Sequence, residues 1–70
     1  MEIIIEDILE LVKKKMREQG AYDRDAFRQF TDETIYYYQE RGRITDDDNI
    51  EFIEKRIMEL WPIVADEFST

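Results

Sequence analysis

The sequence contains no histidine and no cysteine, and its only serine, Ser69, stands one residue from the end. These absences remove Ser-His and Cys-His nucleophilic machinery, thiol redox chemistry and the Cys/His ligand sets of zinc sites. Without cysteine no disulfide can staple the fold, and the redox compartment stays open. One proline and two glycines give the chain few points at which a helix must stop. No apolar run approaches the roughly 20 residues that a bilayer span requires. The opening stretch, Met1 to Asp7, is acidic where a secretory leader is basic. The expectation is a soluble, cytoplasmic chain without membrane contact.

What is abundant is acid: 18 Asp and Glu face 10 Lys and Arg, a formal net charge of −8. The surplus is uneven, because residues 1–20 and 21–44 each carry five acids against four bases, while 45–70 carry eight against two. Such a surface repels phosphate backbones and anionic lipid, so direct nucleic-acid binding is not expected and a basic partner fits better.

Seventy residues make one domain, 1–70, near the lower size limit for a core without staples. Three stretches show helical periodicity. The first is expected over 3–19, with Ile4, Ile5, Ile8, Leu11, Val12 and Met16 on one arc, Glu6, Glu10, Lys13 and Arg17 opposite, and Gly20 as its C-terminal cap. The second is expected over 24–41, capped by Asp23 or Asp25 and closed by Gly42, with Phe27, Phe30, Thr34, Tyr37, Tyr38 and Arg41 inward. The third is expected over 46–68, with Thr45 as N-cap in a capping-box variant that ends on Asp48. Its stripe of Ile50, Ile53, Ile57, Leu60, Trp61, Val64 and Phe68 continues past Pro62, which predicts a kink there; a stop at Trp61 is the alternative. Three such helices joined by short loops predict an all-α, up-down-up three-helix bundle. A long helical hairpin that dimerises is the second architecture.

Four constellations bear on function. Asp46-Asp47-Asp48-Asn49 with Glu51 and Glu54 is rich in oxygen ligands, but Ile50 and Phe52 fall where a calcium loop needs ligands and no Gly supplies its sharp turn. Helix capping explains the run, and no metal or other cofactor is expected. The bases Lys13, Lys14, Lys15 and Arg17, with Arg24 and Arg28, are interleaved with acids and read as complements of a helix C-terminus and a solvated surface. Carboxylates alone could support a small acid-base enzyme, yet no acid falls within the three apolar arcs, so catalysis is the least favoured class. Acyl carrier proteins are excluded by the missing Asp-Ser-Leu attachment site. The small sporulation phosphatases are excluded because the nearest stretch to their Ser-Gln-Glu-Leu-Asp motif, Thr31 to Ile35, lacks its final Asp.

The fourth constellation is apolar residues on the wrong side. Tyr36 lies about 160° from the Thr34 centre of the second arc. Phe52 and Ile63 lie about 130° and 110° from the centre of the third stripe, with Arg56 and Glu59 between them. The sequence therefore points to a small protein–protein interaction or regulatory module whose partner-binding residues are Tyr36, Phe52, Arg56, Glu59 and Ile63. The partner is another protein or a second copy forming a homodimer. An acidic mimic of nucleic-acid phosphate, seated in a basic cleft of a protein, is the alternative, and a carboxylate-based enzyme the third reading.

Overall fold

A computed structural model describes residues 2–45 and 47–69, with side chains from Ile4 onward. Among the described residues four α-helices follow one another: α1 (Glu2–Gln19), α2 (Arg24–Glu40), α3 (Ile50–Glu59) and α4 (Trp61–Ser69). No strand occurs among the described residues. The last two helices are the halves of one bent arm, so the architecture is all-helical with three arms, 37 × 20 × 19 Å in extent.

Both glycines close helices. Gly20 and Gly42 have φ of 66° and 72°, the left-handed region that a residue with a Cβ avoids. After α1, Gly20 N–H donates to Arg17 O and Ala21 N–H to Met16 O; after α2, Gly42 N–H donates to Gln39 O and Arg43 N–H to Tyr38 O. These are paired Schellman bonds that satisfy the orphan carbonyls of each last turn. The second helix ends at Glu40, one residue before the sequence expectation, with Arg41 as C-cap. Its start is set by Asp23, whose carboxylate accepts from Ala26 N–H at 2.8 Å.

The start of the third arm corrects the expectation of a helix from 46. Asp46 itself lies outside the described residues. Half of the expected capping box forms, with Thr45 N–H donating to the Asp48 carboxylate at 3.0 Å, but the Thr45 hydroxyl accepts from Asp47 N–H and Asp48 N–H donates to Thr45 O, which closes an isolated turn. The helix begins at Ile50 on a second cap, Asn49, whose side-chain oxygen accepts from Phe52 N–H at 3.0 Å. The reason lies in Ile44, which is buried and held by its N–H to Tyr38 O. Anchored there, the chain turns before it can run along the core, and Asp residues favour such local side-chain bonding over helix interiors.

The bend also differs from a kink at Pro62 within a helix over 46–68. The break falls at Leu60, whose N–H bonds to Ile57 O at 2.9 Å in a tightened turn. A new helix then opens at Trp61, which also replaces the alternative of a stop there, and Pro62 occupies its second position. A proline in the first turn costs nothing, because its missing N–H belongs to a set that has no intrahelical partner.

The core comprises Ile5, Ile8, Val12 and Met16 of α1, Phe27, Ile35 and Tyr38 of α2, Ile44, Ile53 and Ile57, and Val64 of α4. Trp61 packs its ring 5.1 Å from that of Phe27, and Phe68 lies 4.9 Å from Tyr22. Two inward arcs need correction. On α2 the buried side is Phe27, Thr31, Thr34, Ile35 and Tyr38, rotated by about 45° from the expected centre, with Tyr37 and Arg41 outside. On α1, Leu11 is exposed while Lys13 is half-buried. Both shifts have one cause: α2 packs against α1 on one flank and the third arm on the other, so the side between the two flanks is the one enclosed.

Candidate interaction surface

The described residues are well satisfied internally. Thr31, fully buried, donates its hydroxyl to Phe27 O at 2.7 Å, and no buried side-chain polar atom lacks a partner among the described residues. No group of three or more acids there could hold a metal ion. No described helix is long and apolar enough to cross a membrane.

Two carboxyls and two other groups have shifted pKa values. Glu33 is lowered, first by the Lys15 ammonium 3.1 Å away and then by Gln29. Glu54 is raised, first by burial and then by the negative charge of Asp32 on α2, against which Arg28 acts in the opposite sense. Glu54 is half-buried, so one acid does reach the edge of the interior, contrary to the sequence expectation. Lys13 is raised by its bond to Glu10, with burial opposing and Glu67 adding to the rise. Tyr38 is raised by burial, and the Asp7 charge adds to it.

The structure leaves Tyr36, Phe52 and Ile63 outside, at 62, 45 and 60% exposure. Phe52, Arg56 and Glu59 follow one another by four and three residues, which places them on one stripe of α3. Ile63 stands beyond the Leu60 break, on α4. Tyr36 is apart from them. Glu54 faces Asp32 and Arg28 of α2, and Phe52 lies about 160° from Glu54 around α3. Phe52 therefore points away from α2, and the five residues do not form a single patch. Among the described residues no hydrogen bond, ion pair or ring contact joins any two of them.

A second exposed surface is absent from the sequence reading. Leu11 and Tyr37, 39 and 47% exposed, line an open groove of about 230 Å³ between α1 and α2, together with Thr34, Lys14, Lys15, Glu18 and Glu33. Lys15 bridges the groove to Glu33, and the Arg41 guanidinium stacks 4.4 Å over the Tyr37 ring. Leu11 and Tyr37 fall at the margins of the expected apolar arcs, and the structure leaves both outside. The available signal was chemical: a Tyr next to an Arg one turn on is amphipathic and suits a boundary rather than an interior.

No family model, curated protein or solved structure matches this chain.

Proposed function

We propose that this chain is a small, cytoplasmic protein–protein interaction or regulatory module, without catalysis, on an up-down-up bundle whose third arm is the bent α3–α4 pair. The observation that carries the reading is the exposure of Tyr36, Phe52 and Ile63 on helices whose inward sides already fill the core. Aromatic side chains on rigid elements offer large contact area at small entropic cost and concentrate binding energy. The binding surface is the Phe52–Arg56–Glu59 stripe with Ile63, and Tyr36 forms a separate contact. Its test is the double variant Phe52→Glu, Ile63→Glu, in which helicity stays intact and association with a partner protein is lost. Unchanged association in a folded double variant overturns it.

Acidic mimicry of phosphate is the second reading, supported by the exposure of Asp47, Glu51 and Glu59 along the third arm. Salt separates the two. Binding through mimicry falls steeply between low and moderate ionic strength, whereas apolar docking at Phe52 and Ile63 is nearly indifferent.

A further inference from the structure

We infer that the open α1–α2 face is a self-complementary docking surface whose occupant is a second copy of this chain, with α1 of each copy lying against α2 of the other. The inference rests on the reading of this chain as an interaction module, but not on the Phe52 stripe.

The argument starts from register. Lys15 and Glu33 meet across the groove at 3.1 Å, Leu11 and Tyr37 line it together, and the Asp7 charge is felt at Tyr38. These pairs show α1 and α2 running antiparallel, with residues at one level summing to about the same number. Asp7 lies eight residues before Lys15 and Arg41 eight after Glu33, so each is about 12 Å along its helix and the two share one end of the face. Lys14 and Glu33 share the other end. Leu11 and Tyr37 lie between. Asp7, Lys14, Glu33 and Arg41 are all exposed.

Each end of the face thus carries an acid on one helix and a base on the other, with an apolar centre. A two-fold axis parallel to the helices, lying in the contact plane, keeps every level and exchanges the helices. It sets Asp7 against the partner copy's Arg41, Lys14 against its Glu33, and Leu11 against its Tyr37. These two charged levels then meet their opposites, in both directions, as an isologous interface demands, while Glu18, which also lines the groove, falls level with Phe30. An axis across the helices would instead oppose Tyr37 to Tyr37 and Leu11 to Leu11, forcing unequal helix separations, whereas large against small interdigitates. Arg41 stacked on Tyr37 and Glu33 held by Lys15 and Gln29 are already oriented before contact, which lowers the ordering cost.

The test is mass in solution by light scattering over a concentration series. It is run in about 0.15 M salt, where long-range repulsion between two chains of charge −8 is screened but pairs in contact are not. Wild type reaches dimer mass. Asp7→Arg alone and Arg41→Asp alone each weaken dimerisation at least about tenfold, because two like-charge pairs replace two opposite ones. An equimolar mixture of the two variants regains dimer mass, since positions 7 and 41 again carry opposite charges in both symmetry-related contacts. Circular dichroism confirms that each variant keeps wild-type helicity. A wild type that stays monomeric, single variants that dimerise like wild type, or a mixture that stays monomeric overturns the inference. Phe52→Glu, Ile63→Glu leaves this dimer intact, so failure of the dimer and failure of the partner surface are read in different variants.

Discussion

The Lys13 ammonium stands 3.1 Å from the Glu67 carboxylate and 2.8 Å from that of Glu10, tying α1 to α4 across 54 positions of sequence. With its side chain only 12% exposed, Lys13 keeps its stem against the interior and its charge between two acids. Its pKa is raised, so its stabilising contribution is complete below the ordinary value of 10.5 and is lost as pH climbs through the raised one. Tyr38, raised from 10.0 by burial, has the same sign, because the folded state holds its proton longer than the unfolded chain. Stability should therefore hold flat to about pH 10 and then fall. Lys13→Met should flatten the part of that fall that belongs to the ammonium, as read from urea midpoints at successive alkaline pH values.

At the α2–α3 contact the sign of the acid side is set by Glu54. Its raised pKa means that its favourable contribution is full below the ordinary 4.5 and is lost as pH rises through the raised value, leaving two neighbouring carboxylates at neutrality. Asp32→Asn removes the repelling charge. The variant should be more stable than wild type at pH 7, by up to about 1 kcal/mol. Its Glu54 should also titrate closer to the ordinary value in a carboxyl-resolved NMR experiment. An unchanged Glu54 titration would contradict the assignment of Asp32 as the neighbouring charge.

The two successive caps before α3 make a sharp comparison. Asn49→Ala removes the acceptor of Phe52 N–H and should cost about 1 kcal/mol. Asp48→Ala disturbs only the isolated turn at Thr45 and should cost less than half as much. Equal losses in chemical denaturation would instead place the start of the helix at the Thr45 turn.

Gly20→Ala and Gly42→Ala probe the closures of α1 and α2. A Cβ at either position meets no atom within 4 Å, so the whole penalty is conformational, about 1–2 kcal/mol. In contrast, Ile57→Ala at a fully buried site should cost about 2–5 kcal/mol, a large part of the stability of a chain this small. Thermal unfolding of the three variants orders them, with Ile57→Ala lowest.

Much of the fold was written locally. Asp23, Gly20 and Gly42 are residue types whose side chain, or lack of one, dictates helix ends, so the limits of α1 and α2 could be read within a residue or two. The limits of α3 could not, because Thr45-x-x-Asp48 and Asn49-x-x-Phe52 are successive start signals. The choice between them depends on Ile44 being drawn into a core that no local window contains. The Pro62 signal was real but misplaced: the ring is accommodated by starting a new helix ahead of it, not by bending an old one. On the outside, Tyr36, Phe52 and Ile63 were legible as exposed, since angular distance from an apolar arc is a local property. That Tyr36 and Phe52 lie on different sides was not, because it depends on which flank of α3 meets α2. The α1–α2 groove was hidden for the same reason: Leu11 and Tyr37 look interior until the third arm is seen to occupy the other side.

The restart at Leu60 divides the chain's resistance to solvent in two. Helix α4 has nine residues, fewer than the about 12–15 at which an isolated helix persists in water. It is helical only while Val64, Trp61 and Phe68 are docked and Glu67 meets Lys13. Because no uninterrupted ladder runs from α4 into α3, undocking the one does not unwind the other. Amide protons of α4 should therefore exchange with deuterium through a partial opening of low free energy, while those around Ile8, Val12 and Ile53 wait for the whole chain to open.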